Sequence, residues 1–359
     1  MNKKNLSLII TILTLLFLAV DMFLELGIII ETDNNTTTIT TTEVTTLTTS
    51  SNSTTFPISN SSNTETTGEL PEYIPLGYYD SIDGLTGDEL KTELNNIIIG
   101  HTEFPYTSTA TDVWDILREA DEDPDNPDNI IGIYTGLSIP KDCQDTTYPP
   151  DFCEMEAYEE TKTVEWNREH VWSKSRGGFT DEADRGAYTD AHHLVAAERV
   201  MNSIKNNRFY EDCHDGDDIN VVDRGYSNYT CNTWEFEPRN DVKGDIARMI
   251  FYMAVRYDDE ELDLEVVNDP DEDRYSYLPV YGDIDDLLRW HNEDPVSIEE
   301  IERNQIIYSY QGNRNPFIDM PELVEDVFGT PDDYLLTNIQ GTYNHNYCVL
   351  KYEEESNLL

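Results

Sequence analysis

The sequence has 359 residues, which is enough for one large domain or for two small domains with appendages. It carries 73 Asp and Glu against 23 Lys and Arg, and the net charge of −50 excludes a function that relies on overall attraction to a polyanion. The 22 Tyr, 11 Phe and 5 Trp can build a core, so a wholly disordered chain is also excluded. A folded protein covered with carboxylates suits molar salt, where screening suppresses self-repulsion. We therefore expect an acidic, halophilic protein.

Residues 1–30 have the pattern of a targeting segment. Two lysines precede an apolar run over residues 6–20, which has the length of a signal-peptide core and is short for a membrane span. Extending that run further would bury Asp21 and Glu25 in lipid at high cost. The segment has no clean small-x-small cleavage site, so a membrane anchor over residues 6–30 is the alternative to a cleaved signal peptide. Both alternatives predict an exported protein, either extracellular or at the cell surface.

Residues 31–68 are mostly Thr, Ser and Asn, a composition typical of a low-complexity stalk that builds no core. An unglycosylated linker is the alternative to a glycosylated stalk. We expect one folded domain over residues 69–328 and a C-terminal extension over residues 329–359. Asn-x-Ser/Thr sequons, which predict surface glycosylation of an exported protein, occur at Asn34, Asn35, Asn52, Asn60 and Asn228.

Five cysteines fit an exported protein with two disulfides and one unpaired thiol. We expect Cys143 to pair with Cys153 and Cys213 with Cys231, because each pair encloses a short polar loop. A zinc site formed by Cys213, His214 and Cys231 is the alternative, although this spacing matches no usual zinc pattern.

The chain contains helical and strand-like patterns in irregular order. In the strongest helix, apolar residues recur at i, i+3, i+4 and i+7 from Ile246. Ser297 followed by Glu300 forms a capping box at the start of another. Because no strand-helix unit repeats, the predicted fold class is α+β. Helices are predicted over residues 85–99, 111–120, 194–202, 244–257 and 297–308, and strands over residues 130–134 and 163–167.

Candidate chemistry concentrates in the middle of the chain. A Glu169-His170 pair precedes an Asp-Ala-His-His-Leu segment over residues 190–194, so three of the seven histidines lie close together. Residues 162–256 carry 13 of the 23 Lys and Arg and 17 acids, a local net charge of −4 where the rest of the chain carries −46. A site for a polyanion needs this local relief of negative charge.

Several short blocks of sequence follow one another in a recognisable order. They are Tyr78-Tyr79, Gly84-Leu85-Thr86-Gly87, Asp121-Glu122-Asp123-Pro124, Ile133-Tyr134-Thr135-Gly136, Trp166-Asn167-Arg168-Glu169-His170-Val171-Trp172, His192-His193-Leu194, Lys243-Gly244-Asp245-Ile246-Ala247-Arg248, Phe251-Tyr252-Met253-Ala254-Val255-Arg256-Tyr257, Trp290-His291, Asp294-Pro295-Val296, Glu302-Arg303-Asn304 and Gln311-Gly312-Asn313-Arg314-Asn315-Pro316-Phe317-Ile318-Asp319. With these blocks in this order, the chain resembles the endonuclease I family of exported nucleases, within the ββα-metal, or His-Me finger, superfamily. The resemblance spans roughly residues 75–328 and implies a ββα-metal core embedded in mostly helical surroundings.

The resemblance also implies roles for individual residues. His170 matches the general base that takes a proton from the attacking water, and a backbone carbonyl is the default partner that would fix its tautomer. Glu169 and Asn202 match the protein ligands of one divalent metal. Carboxylate and amide oxygens suit Mg²⁺, with Ca²⁺ or Mn²⁺ as alternatives.

Arginine is expected at the scissile phosphate because its planar fork binds phosphate oxygens bidentately. The candidates are Arg168, Arg176, Arg185 and Arg208, and Arg185 lies where the family carries such a residue. His193, where the family often has Asn, is either a structural residue or a further metal ligand. Two departures from the family pattern are Ser173 in place of a common proline and Lys205 in place of an arginine. Further contacts to nucleic acid are expected from Arg168, Lys174, Arg176, Lys205 and Arg208.

The sequence therefore predicts an exported, metal-dependent endonuclease that hydrolyses phosphodiester bonds of DNA, or of RNA, with little sequence specificity. No obligate protein partner is expected. One alternative is a catalytically inactive surface adhesion module on a threonine-rich stalk, which the presence of all three core residues disfavours. Another is a zinc hydrolase that uses His192 and His193, although adjacent histidines seldom share a metal.

Overall fold

The protein, as a computed structural model, separates into two compact units, residues 1–69 and residues 70–359. In the first unit, β1 (Ile28–Asp33) pairs antiparallel with β2 (Thr36–Thr41), within or beside the segment predicted as a stalk. The predicted signal-peptide core, the four N-terminal sequons and nearly all of the C-terminal extension lie outside the described residues. The described ranges are 28–33, 36–41, 71–145, 153–157, 160–179, 186–214, 220–223, 227–232, 234–258, 262–267 and 279–329.

The second unit mixes short strands with helices, so the predicted α+β class is confirmed. Its strands are β3 (Glu122–Asp123), β4 (Asn126–Ile131), β5 (Ser138–Pro140), β6 (Glu154–Ala157), β7 (Glu160–Thr163), β8 (Trp166–His170), β9 (Leu194–Glu198), β10 (Phe209–Tyr210), β11 (Asn220–Asp223), β12 (Ser227–Cys231), β13 (Glu235–Glu237), β14 (Glu265–Val267) and β15 (Val280–Asp283). Its helices are α1 (Gly87–Ile98), α2 (Val113–Ala120), α3 (Lys174–Gly177), α4 (Arg199–Lys205), α5 (Lys243–Arg256), α6 (Ile284–Glu293), α7 (Ile298–Gln311), α8 (Pro316–Asp319) and α9 (Leu323–Phe328).

The strands form several small sheets rather than one large one. β3, β4 and β5 make an antiparallel sheet, and β8 pairs only with β9 among the described strands. A four-stranded sheet has the order β10-β13-β12-β11, with β10 parallel to β13. None of the described helices is long and apolar enough to cross a bilayer.

Helix α5, the strongest helix of the sequence, lies in the main core. Its residues Lys243 to Arg256 are buried with the single exception of Asp245, which agrees with an apolar pattern on most sides. A second apolar cluster lies between α2, β4, β5 and the β8-β9 pair. That cluster includes Val113, Leu117, Ile130, Ile139, Trp166 and Leu194.

The unit of two strands and one helix formed by β8, β9 and α4 differs from the prediction. The predicted helix over residues 194–202 is wrong in its first half, since Leu194–Glu198 is strand β9, paired antiparallel with β8. Pairing with β8 and complete burial of β9 outweigh the helix preference of its two alanines. Helix α4 follows directly, and both carboxylate oxygens of Glu198 accept bonds from the amides of Val200 and Met201 as its N-cap.

A buried ion pair, Asp121 with Arg303, is hydrogen-bonded to the backbone of strand β9 and of the residues just before it. The Asp121 carboxylate accepts a bond from the Ala196 amide at 2.7 Å and from Arg303 Nε at 2.8 Å. Arg303 also donates to the backbone carbonyls of Ala191 and Leu194. Asp121 and Arg303 belong to two different blocks of the family resemblance, and together they position strand β9.

Both predicted disulfides are present, Cys143–Cys153 and Cys213–Cys231. The alternative zinc site is therefore excluded, because two of its three ligands are bonded to each other. The sequon at Asn228 is not a surface site, since this residue is fully buried. Its amide donates to the Tyr134 carbonyl and accepts from the Arg239 amide, so the predicted glycosylation there is wrong.

Other predicted elements are displaced at their ends. Asp112 forms a capping box before α2 rather than lying in its first turn. The capping box of Ser297 and Glu300 is confirmed, and α7 extends to Gln311. The strand predicted over residues 130–134 is β4, which ends at Ile131. The strand predicted over residues 163–167 is interrupted between β7 and β8.

Candidate active site

Alternate residues of β8 face opposite sides of the strand pair. Trp166, Arg168 and His170 share one face, and Asn167 and Glu169 share the other. This alternation explains why two adjacent residues of the motif have different neighbours. The His170 ring packs against aromatic rings, whereas the Glu169 carboxylate lies in a buried polar cluster.

His170 is held through one nitrogen and leaves the other available. Its Nε2 lies 3.0 Å from the Tyr188 carbonyl oxygen, which can only accept, so Nε2 carries the proton and Nδ1 is the basic nitrogen. The expected backbone carbonyl partner is confirmed. Burial, together with the neighbouring His193, holds the pKa of His170 well below its usual value, which keeps the imidazole neutral.

Rings surround His170 on several sides. The Tyr106 ring stacks on it with centroids 5.7 Å apart and an interplanar angle of 24°. The rings of Tyr188, His193 and Phe179 lie at 5.0, 5.5 and 6.3 Å. The imidazole is therefore fixed in orientation and is 7% exposed.

Glu169 occupies a polar cluster on the opposite face. Its Oε1 accepts a hydrogen bond from the Tyr134 hydroxyl at 2.8 Å and lies 3.0 Å from Lys205 Nζ. The Tyr134 and Tyr210 hydroxyls are also hydrogen-bonded to each other. Burial raises the pKa of Glu169 above its usual value, and the Lys205 ammonium opposes that rise.

Lys205 requires a correction, because it was predicted to contact nucleic acid. Its side chain is completely buried, its ammonium also donates to the Val171 carbonyl at 3.3 Å, and the Tyr210 and Tyr281 rings flank it at 4.5 and 5.1 Å. Burial by itself lowers the pKa of Lys205, but the Glu169 carboxylate together with the Tyr210 and Tyr281 hydroxyls outweighs this and raises it. Lys205 is thus an internal counter-ion for Glu169 rather than a surface contact.

Asn202 reaches the same face of β8 from helix α4. Its Nδ2 donates to Asn167 Oδ1 at 2.8 Å, and Asn167 shares its face with Glu169. This bond uses the amide nitrogen of Asn202 and leaves its oxygen as an acceptor. A carboxylate oxygen and an amide oxygen on one face fit a hard divalent cation. No group of three His, Cys, Asp or Glu side chains suited to a metal occurs in the described ranges, so a cation here would complete its shell with water and substrate oxygens.

The basic residues predicted to bind nucleic acid separate into two places. Lys174 is exposed on α3, with its ammonium 5.3 Å from the Tyr188 ring centroid. Arg176 donates to the Asn207 carbonyl at 3.4 Å, which joins α3 to the turn that carries Arg208. Arg168 lies instead over the rings of two aromatic residues on the face of His170. Arg185, predicted at the scissile phosphate, lies outside the described residues.

His192 and His193 do not form a metal pair. His192 Nε2 bonds to the Asn313 carbonyl and its ring packs on Tyr252, whereas His193 Nε2 bonds to the Ala187 carbonyl beside His170. Their neighbours differ because consecutive residues point apart, and the zinc-hydrolase alternative is contradicted. Burial lowers the pKa of each to about 4.

Three contributors to the site were missed from the sequence. Tyr134 and Asn167 lie inside recognised blocks, and their polar side chains close to the Glu169-His170 pair were an available signal. The Tyr188 carbonyl is a backbone group, which no residue type reveals.

The chain is similar to known proteins over most of its length. The endonuclease I family model matches residues 86–322. The chain is 41% identical over 254 residues to the extracellular ribonuclease of Bacillus subtilis (strain 168), covering 70% of this chain and 78% of that protein. It is 39% identical over 274 residues to the extracellular ribonuclease of Bacillus amyloliquefaciens, covering 76% and 81%. The chain belongs to the endonuclease I family.

Proposed function

We propose that this protein is an exported nuclease that hydrolyses phosphodiester bonds in RNA and DNA with little sequence specificity. Membership of the endonuclease I family supports nuclease chemistry, and two relatives named extracellular ribonuclease support export and an RNA substrate. The two disulfides are consistent with an oxidising compartment. The order β8, β9, α4 supports assignment of this unit to the ββα-metal, or His-Me finger, class.

In the proposed mechanism, His170 is the general base. Its Nδ1 accepts a proton from the attacking water, while the bond from Nε2 to the Tyr188 carbonyl holds the tautomer and ring orientation. Because burial lowers its pKa, the imidazole is in the basic form at neutral pH and remains so as the pH falls below its usual 6.5.

Glu169 and Asn202 would hold one divalent cation, Mg²⁺ in the first instance. When bound, such a cation supplies charge neutralisation at the phosphate oxygens as a Lewis acid. Tyr134 and Lys205 fix one carboxylate oxygen of Glu169, so the side chain is oriented before any ligand arrives.

Basic residues would bind the phosphates on either side of the scissile bond. Lys174, Arg176 and Arg208 lie together where α3 meets the turn after α4. Such contacts go to the backbone of the nucleic acid and carry no sequence information, which agrees with low specificity. We keep Arg185 as the proposed contact to the scissile phosphate.

The observation that carries this proposal is the imidazole of His170, locked through Nε2 with Nδ1 available, one residue from the buried carboxylate of Glu169. The test compares wild type with His170→Ala on plasmid DNA and on structured RNA, after chelation and with Mg²⁺, Mn²⁺ or Ca²⁺ restored, across a salt series. We expect His170→Ala to lose roughly 10²- to 10⁴-fold in kcat. We expect chelation to abolish cleavage by wild type.

His193→Asn is the matched control, since it removes a neighbouring buried imidazole that takes no proton from water and holds no cation in the proposed chemistry. It should retain cleavage within about tenfold of wild type, because loss of a packed neighbour costs less than loss of the base. If wild type cleaves neither substrate with any of these metals at any salt, the alternative of an inactive surface module replaces the proposal.

A further inference from the structure

A cleft of about 510 Å³ lies between the loop before α2, the start of that helix and Gln144. Its volume falls in the range of small-ligand sites. Residues lining the cleft include Thr107, Ser108, Thr109, Thr111, Trp114 and Gln144.

A continuous row of rings and one guanidinium leads from His170 to this cleft. The Tyr106 ring stacks on His170, and the Arg168 guanidinium lies 3.3 Å from the Tyr106 centroid and 4.0 Å from that of Trp114. Trp114 in turn packs edge-on against Trp166 at 4.8 Å. Because Trp166, Arg168 and His170 are alternate residues of one strand, Trp114 and the proposed base lie on one face of β8.

The chemistry of the lining favours a nucleobase over a phosphate. Two carboxylates at the rim, Asp112 and Asp115, form the capping box of α2, so the first amides of that helix already have acceptors. Arg118 also lines the cleft, but it is paired with Asp142 at 3.3 Å, so the carboxylates outnumber it and disfavour a phosphate at this place. The half-buried Trp114 indole lines the cleft and carries the Arg168 guanidinium on one face, so a base would stack on the other face. Hydroxyl groups and the Gln144 amide can bond to base edges.

We propose that this cleft binds the base of one unpaired nucleotide next to the scissile phosphate, with the base on Trp114. The proposal rests on the proposed function, since His170 sets where the phosphate lies. A base in a duplex is stacked and paired, so it cannot enter without unpairing. The cleft therefore gives the enzyme a preference for single-stranded segments, and sequence tolerance follows because every base has a stacking face.

The test measures binding, so that it does not depend on cleavage. In a His170→Ala background, anisotropy gives the Kd of fluorescent single-stranded RNA and DNA hexanucleotides at one fixed salt concentration. An abasic residue is placed at each position in turn. We expect one position at which loss of the base weakens binding about tenfold, the effect of one base–aromatic stack.

Trp114→Leu should weaken binding of the intact oligonucleotide to the same degree and abolish the abasic effect. Trp114→Phe, which keeps an aromatic face, should retain both. Duplex binding should be the same in all three proteins. Gln144→Ala supplies a second variant that leaves the contact between Trp114 and Trp166 intact, and it should weaken single-strand binding severalfold.

Equal losses at every abasic position, or an unchanged abasic profile in Trp114→Leu, would overturn the base-binding cleft. The proposed nuclease function fails differently, by the absence of cleavage in the wild-type protein. Binding with a position-specific abasic effect but no wild-type cleavage would retain the cleft and reject the nuclease.

Discussion

Glu169 and His170 are neighbours in the chain, yet their side chains work on opposite faces of β8. The extended backbone separates them, so the imidazole can stay neutral in an aromatic wall while the carboxylate lies against an ammonium. The environment at each face, rather than the residue types alone, sets the protonation state that the proposed chemistry needs. His193 lies beside His170 and is completely buried, whereas His170 is 7% exposed.

His193 gives the folded protein a pH dependence that can be measured. Burial lowers its pKa to about 4, against the usual 6.5 of an unfolded chain. Between these values the unfolded chain binds a proton that the folded protein does not, so stability falls as the pH is lowered through this window. His193→Asn removes that contribution. The unfolding free energy of wild type should fall when the pH is lowered from about 7 to about 4.5. The fall in His193→Asn should be smaller by roughly 1–3 kcal/mol.

Urea unfolding at both pH values, in matched high salt, measures this difference. Phe179→Leu is the control, since Phe179 packs against the His193 ring with centroids 5.7 Å apart and does not titrate. It should lower stability by a similar amount at both pH values. A parallel pH dependence of wild type and His193→Asn would show that the imidazole contributes nothing in this window.

At the scale of elements, the β8-β9 pair depends on side chains that are distant in the sequence. Asp121 and Arg303 are 182 residues apart, and together they bond to the amide of Ala196 and the carbonyls of Ala191 and Leu194. These bonds therefore fix the short strand β9 on its side away from β8. Helix α4, which carries Asn202, begins where that strand ends.

Arg303→Met should destabilise the protein by about 3–5 kcal/mol, because it leaves the Asp121 carboxylate buried without its partner. Thermal and urea unfolding measure the loss. Arg118→Met is the matched control, since Arg118 pairs with the largely exposed Asp142 at 3.3 Å. That change should cost less than about 1 kcal/mol. Equal effects of the two substitutions would mean that the buried pair is not what holds β9.

At the scale of the whole molecule, we expect charge to govern both stability and the binding of nucleic acid. The net charge of −50 opposes both folding and the approach of nucleic acid when screening is weak. At molar salt the screening length falls to a few ångströms, and short-range contacts at the site decide binding. Ordinary nucleases that rely on phosphate contacts lose affinity over the same range of salt.

Raising KCl from about 0.1 M to about 3 M should therefore increase both folded structure and the rate of RNA cleavage. Circular dichroism and an initial-rate assay follow the two quantities in the same samples. Sucrose at equal osmolality is the control, because it favours the compact state by exclusion without screening charge. A protein fully folded and most active at the lowest salt would refute the halophilic interpretation.

Features that depend on neighbouring residues could be predicted from the sequence. Helix α5 and the capping box of Ser297 follow from local spacing, and both disulfides close short loops. The mixed fold class and the family also follow, because several motif blocks occur in order. The roles predicted for Glu169 and His170 stay predictions.

Other features were decided only by tertiary structure, because they depend on groups far apart in the chain. Residues Leu194–Glu198 favour a helix locally and become a strand through pairing with β8. Lys205 is of a residue type that commonly contacts phosphate, yet it is buried because Glu169 and two tyrosine rings surround it. The tautomer of His170 depends on a backbone carbonyl, which every residue possesses and no residue type identifies. The sequence by itself thus determined which groups are available, and the tertiary structure decided which of them meet.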